Sequence, residues 1–288
     1  AIAWSGAPVA RLEKGADIVS PGVAVLPSDY LSADQRERMR KRLLAWVTAQ
    51  LEDCLERLLA LRGATLDGVA RGLAYRIVEG LGSIPRVQIL AEVRDMSKED
   101  RTALRSCGVR IGPETLFLPA LVKPKAVQWR ALLWALFNEK PASAVPGAGL
   151  VTVPAGEDAD EGFLAACGFA CLGKRAIRVD VLDRVAIDLQ RQSRAGKMDV
   201  GATQLNLLGL SMEDARPVFE ALGYVAEEEG ETLTWKWGGR PRHKSKRPHK
   251  AKTGKKPGGS GKPRAKKRKP QKIDEDSPFA KLRELKLS

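Results

Sequence analysis

Histidine is nearly missing from this 288-residue chain: it has two, His243 and His249, both in a Lys/Arg-rich stretch near the C-terminus. Residues 1–237 therefore offer no imidazole, which excludes a histidine-based triad or general base in the part able to fold. Cysteine is scarce as well. Cys54, Cys107, Cys167 and Cys171 form no CxxC pair, and three residues separate the last two. A zinc site would have to gather ligands from distant segments, so buried free thiols are expected. No apolar run approaches the length that spans a bilayer, and no signal peptide is expected. These absences read as a reduced, soluble, cytoplasmic protein. The chain opens AIAWSG, in mid-pattern and without Met, which reads as a piece of something longer or a processed product.

Acidic residues are missing from one stretch only. Residues 238–272 hold 16 Lys and Arg and no Asp or Glu, whereas residues 1–237 hold 30 basic and 31 acidic side chains. The formal net charge of +14 thus belongs to the tail, and the body is balanced. A run of Lys and Arg broken by Gly and Pro, with almost nothing apolar, cannot bury enough surface to fold, so a disordered segment is expected over 239–272. Its natural partner is a polyanion, because each cation placed near a phosphate releases a condensed counterion. The candidate nucleic-acid contacts are Arg240, Arg242, Lys244, Lys246, Arg247, Lys250, Lys252, Lys255, Lys256, Lys262, Arg264, Lys266, Lys267, Arg268, Lys269 and Lys272. Phosphate contacts of this kind carry no base specificity. A tail that serves only as a solubility aid or an address is the plainer alternative.

The body reads as mainly α with small β elements. Residues 1–28 suggest three short strands, IAW, APVARLEKG and GVAVLPSD, which need a partner layer to be stable. Ser32 and Gln35 form a capping box for a long helix that Gly63 ends, with Leu43, Val47, Leu51, Cys54, Leu55, Leu58 and Leu59 at helical spacing. Arg36, Arg38, Arg40, Lys41 and Arg42 crowd its start, a solvated face before a phosphate-facing one. Leu66 to Leu81 is helical up to Gly82, and Ile84 to Arg94 is ambiguous between strand and helix. Ser97 with Asp100 caps a short helix ending at Gly108. Residues 109–121 are extended and turn-rich. Pro124 suits the first turn of a helix whose Trp129, Leu132, Leu133, Leu136 and Phe137 are expected in the core. PASAVPGAG, 141–149, has linker composition.

From Val151 to Trp237 a second module is expected. Helices are predicted around Asp160 to Cys167, over Val181 to Arg194, over Gly201 to Leu208 and from Ser211 to Leu222. Two strands follow, Tyr224 to Glu228 and Thr232 to Trp237, joined by an acidic turn at Glu229-Gly230. Helix, helix, turn, helix, hairpin is the order of a winged helix. A base-reading helix would present Arg, Lys, Asn or Gln. Here Glu213, Asp214 and Glu220 stand against Arg216, which favours a structural or protein-contacting role. Trp235 and Trp237 are candidates for base stacking, with core packing the plainer alternative.

GFACLGKR, 168–175, matches the opening G-x-x-x-x-G-K of a phosphate-binding loop. Arg175 stands where Ser or Thr should hold magnesium, and FLAACGF upstream reads as a helix end. Gly168 and Gly173 are therefore expected to punctuate a turn, and no cofactor or metal site is expected in this chain. SPFAKLREL near the C-terminus places Phe279, Leu282 and Leu285 on one face of a short helix over 273–288, with Ser277 as cap, a docking element for the body or for a protein partner.

VRIGPETLFLPALVKPKAVQWRALLWAL, 109–136, resembles the region that follows the motor in bacterial superfamily 2 ATP-dependent helicases similar to the mitochondrial RNA-degradosome helicase. The match lies in Gly108 to Gly112, Leu116 to Pro124 and Arg130 to Leu136. DGVARGLAYRIVEGLGSIPR (67–86), IAWSGAPVARLEKG (2–15) and the ending DSPFAKLRELKLS are similar to segments of the same proteins. The resemblance implies a motor of two RecA-like domains, upstream of Ala1, that binds ATP and magnesium. None of its motifs lies here, so no catalytic residue is carried over. For this chain it implies a helical accessory domain over 31–145 behind a β segment over 1–30. A winged-helix-like module over 151–238 and a tail that holds RNA or DNA would follow. A freestanding nucleic-acid-binding or scaffolding protein is the alternative.

Overall fold

A computed structural model describes residues 1–141, 143–156, 158–194, 202–229 and 232–239. All of them belong to one compact unit. The first strands are β1 (Ile2–Trp4), β2 (Ala7–Glu13) and β3 (Gly22–Val25), paired antiparallel in that order. As three short strands require, the sheet packs on a helix: Ala10, Val19 and Val23 join the same core cluster as Val47, Leu51, Leu55, Leu58 and Leu61 of α1 (Ala33–Gly63).

The start of α1 is set by local chemistry. Gln35 N–H donates to Ser32 Oγ at 3.3 Å while Ser32 N–H donates to Gln35 Oε1 at 2.9 Å, so two otherwise orphaned donors are satisfied reciprocally. Ser32→Ala is expected to lower stability by about 1 kcal/mol, read as a lower denaturant midpoint with an unchanged slope. The helix departs from helical backbone at Leu55 (φ −119°, ψ 23°). Its basic N-terminal turns are partly neutralised from within: Arg38 pairs with Asp34 at 2.7 Å, and Glu37 with Arg40 at 2.8 Å and Lys41 at 3.9 Å. That is the solvated face expected.

α2 (Gly68–Glu79) follows, and the chain turns sharply at Gly82, where φ is +100° and an added Cβ would stand 2.2 Å from Leu121 Cδ1. Only glycine satisfies both conditions. The ambiguous stretch resolves into β4 (Ser83–Pro85), a 3-10 turn over Arg86–Ile89, and α3 (Leu90–Asp95). α4 (Lys98–Ser106) carries the expected Ser97/Asp100 capping box. β5 (Arg110–Ile111) and β6 (Thr115–Phe117) complete a three-stranded antiparallel sheet, order β4-β6-β5.

α5 (Pro124–Phe137) departs from expectation. Of the five residues assigned to the core only Leu133 is fully buried; Trp129, Leu136 and Phe137 are half-buried, and Leu132 is 38% exposed. The fully buried positions are Ala126, Arg130, Ala131, Leu133 and Ala135. The helix is apolar on nearly every face, so periodicity could not choose which face turns inward. It is shared: Ala126 and Leu133 join the first core, while Ala131 joins a second with Phe163, Leu164, Cys167, Phe169 and Ala176.

The rest of the body holds β7 (Thr152–Pro154), α6 (Glu161–Ala166), β8 (Phe169–Leu172), β9 (Arg175–Arg178), α7 (Val179–Ser193), α8 (Ala202–Leu208), α9 (Met212–Ala221), β10 (Tyr224–Glu229) and β11 (Thr232–Trp237). The four predicted helices and the final antiparallel pair occur in the predicted order. The antiparallel sheet β7-β9-β8 was not predicted. Its strands of three or four residues are too short for a period-2 pattern to emerge. No helix among the described residues is long and apolar enough to cross a membrane.

Candidate functional site

The sixteen Lys and Arg residues from Arg240 to Lys272, singled out as nucleic-acid contacts, lie outside the described residues, and so do Phe279, Leu282 and Leu285. The expected acidic turn also falls partly outside, at Gly230.

Among the described residues the phosphate-loop look-alike is a β-hairpin. GFACLGKR runs through β8, a turn at Gly173 (φ +62°) and β9, with α6 rather than a strand before it. The N–H fan of a helix N-terminus that cradles phosphate is not at this turn, and Arg175 is committed to Asp214 at 2.8 Å. The α9 surface keeps its acidic character, with Arg216 bound to Glu220 at 3.4 Å. On the hairpin, Lys236 is paired with Glu227. Trp235 is 0% exposed and packs edge-on against Phe219 at 5.3 Å, so it is core and cannot stack a base. Trp237 is 47% exposed beside Tyr224 and keeps an open face.

No group of three metal-ligating side chains is found among the described residues. Of the four thiols only Cys167 is fully buried; Cys54, Cys107 and Cys171 are half-buried. Burial pushes the Cys167 thiol up to about 11, against the pull of nearby Arg130, so it is uncharged and a poor nucleophile at neutral pH. A groove of about 200 Å³ runs beside Cys167 between α5 and residues 145–150, with Val127, Leu150, Phe169 and Arg178 in its walls. It is smaller than usual ligand pockets, and Arg178 is turned to Asp180 at 2.7 Å.

Two buried charges were not foreseen. Arg130 is 1% exposed and has no carboxylate partner among the described residues. Its Nη1 donates to Leu121 O at 3.1 Å, and its Nη2 to Ser83 Oγ at 3.1 Å and Ala165 O at 3.4 Å; its Nε has no hydrogen-bond partner among the described residues. Ala165 lies in the last turn of α6, and its carbonyl also accepts the Gly168 N–H at 2.9 Å and the Ser83 hydroxyl at 3.4 Å. Burial lowers the guanidinium to about 10, which leaves it charged at neutral pH. Asp183, on α7, is 0% exposed. Its Oδ1 accepts the Glu114 N–H at 3.2 Å, and its Oδ2 has no hydrogen-bond partner among the described residues.

These charges are reciprocal. Arg130 projects from α5 onto β4 and the end of α6, and Asp183 projects from α7 onto the β5–β6 turn. Each side chain holds backbone far away in sequence and so joins the earlier part of the chain to the later one. The sequence carried a faint signal for both. Arg130 has no acidic residue three or four positions away in an apolar helix, and Asp183 follows Val179 by four and precedes Ala186 by three on the buried stripe of α7. Compared with protein-family models, with curated proteins and with solved structures, the chain matches none of them.

Proposed function

We propose that this chain is the nucleic-acid-holding accessory region of an ATP-dependent RNA or DNA helicase. Its folded body braces the motor and lines the strand's path, and its Lys/Arg run keeps the strand nearby. The observation that carries this reading is the segregation of charge: all 16 Lys and Arg of residues 238–272 stand without an acid, behind a body of 30 basic and 31 acidic side chains. A polyanion is the partner that such a segment attracts, through counterion release. The link to a motor rests on the resemblance of residues 108–136 to helicase segments that follow one. The exposed aromatics Trp4 (74%) and Tyr30 (95%), with half-exposed Trp46, lend it support. They fall in residues 1–46, where only Ala10, Val19, Pro21 and Val23 are buried. In the helicase reading a further protein surface would cover these rings.

In this reading residues 151–238 act as a winged-helix-like module that contacts protein rather than bases, since Glu213, Asp214 and Glu220 would repel phosphate. ATP and magnesium belong to the motor, and the reducing cytoplasm is the setting that suits four unpaired thiols.

The test is binding of single-stranded RNA and DNA to the full chain as a function of salt, before and after replacing eight cations by Gln: Lys255, Lys256, Lys262, Arg264, Lys266, Lys267, Arg268 and Lys269. Affinity at about 0.15 M salt is expected to fall at least tenfold, with a shallower dependence of log K on log salt. An unchanged slope would move the binding to the body and overturn the role of the tail. A native polypeptide in cell extract no larger than this chain would remove the motor and leave the freestanding binder.

A further inference from the structure

The contact between α7 and the β5–β6 turn has the makings of a switch. Asp183 seats its carboxyl on Gly112, where a Cβ would stand 1.5 Å from Oδ2. The turn is held from the other side by Arg86, whose Nη1 donates to Gly112 O at 3.0 Å. Glu114 and Thr115 offer backbone N–H groups to the carboxyl, yet no cation forms an ion pair with it among the described residues. We propose that Asp183 is a proton-controlled latch across the body: uncharged, it closes α7 on the Gly112–Thr115 turn, and charged, it weakens that junction.

The groups around it support this behaviour. Burial disfavours the charged carboxyl most; the Glu114 and Thr115 N–H groups pull the other way, the Glu114 carboxylate opposes ionisation, and Arg110 favours it only through space. β8 and α8, also packed on α7, carry no charged residue, and the two arginines of β9 are occupied, Arg175 by Asp214 and Arg178 by Asp180. Removal from water thus dominates, and burial lifts Asp183 from 3.8 to about 7. The sign follows from proton linkage. The closed state holds a proton that the open state has already lost at pH values between about 4 and 7. The contribution of Asp183 to closure is complete below pH 4, falls as pH rises through that window, and is gone above about 7.

The test is amide hydrogen exchange of the full chain at Glu114 and Thr115 from pH 5 to 8, corrected for intrinsic rates. The opening constant is expected to rise by on the order of 10- to 100-fold between pH 5 and 7 and then level off. In Asp183→Asn the profile should be flat, while amides in the middle of α1 keep one opening constant in both proteins. A pH-independent opening constant in the unaltered chain would overturn the proposal, and so would the same profile in D183N. Should D183N not fold, the profile of the unaltered chain decides alone.

Discussion

Arg130→Ala is expected to destabilise the body by about 3–5 kcal/mol, because it breaks a buried hydrogen-bond network and opens a cavity. Moving the guanidinium from its ordinary value to about 10 corresponds to a burial cost of about 3 kcal/mol. Hydrogen bonds to a charged group contribute roughly 1.5–3 kcal/mol each. Three of them, to Leu121 O, Ser83 Oγ and Ala165 O, exceed the cost, so the residue is net stabilising despite having no carboxylate. Alanine removes those bonds and also leaves a cavity at a site where β4, α5 and α6 meet. Arg130→Met separates the two effects. It fills most of the volume and abolishes the burial cost, so its loss should be about 1–3 kcal/mol. Urea denaturation of the three proteins gives the comparison. A loss under about 1 kcal/mol for alanine would mean that the junction opens to let water reach the three acceptors.

Gly112→Ala is expected to cost about 3 kcal/mol for a different reason. The new methyl carbon would stand 1.5 Å from Oδ2 and 2.3 Å from Cγ of Asp183. Asp has a short side chain, and this one is wholly buried with Oδ1 held by the Glu114 N–H. The carboxyl must swing out of its seat, which adds overpacking of roughly 1–3 kcal/mol to the loss of its hydrogen bond from the Glu114 N–H. Gly112 does not have positive φ, so space, and not backbone strain, is what requires glycine. A double-mutant cycle isolates that cause: in an Asp183→Ala background the same Gly112→Ala change should cost less than about 1 kcal/mol. An equal cost in both backgrounds would place the conflict elsewhere in the turn.

Much of the body was legible because its signals are local. The capping boxes at Ser32/Gln35 and Ser97/Asp100, the Ser211 cap and the apolar stripe of α1 each act over three or four residues. α5 was legible as a helix but not in its facing. An apolar surface on nearly all sides has no phase, and the choice between Leu132 and Ala131 as a core residue was made by two separate cores that enclose the helix. The sheet β7-β9-β8 escaped because three- and four-residue strands carry too little pattern. Of the candidate site, the charge of residues 240–272 was plain from composition alone, and Trp235 and Trp237 could be ranked only once the packing around them was known.

The amino-acid sequence by itself determined where the charge of this protein lies, where its helices begin, and that no histidine chemistry is open to residues 1–237, because these follow from residue type and near neighbours. Only the tertiary structure decided that an arginine and an aspartate are buried with no ion-pair partner among the described residues. Arg130 reaches acceptors 35 and 47 residues away at Ala165 and Ser83, and Asp183 reaches a backbone N–H 69 residues away at Glu114. Apart from the Ser83 hydroxyl their counterparts are main-chain groups, which are the same whatever the side chain, so the order of the residues carried a faint signal of burial and none of these partners.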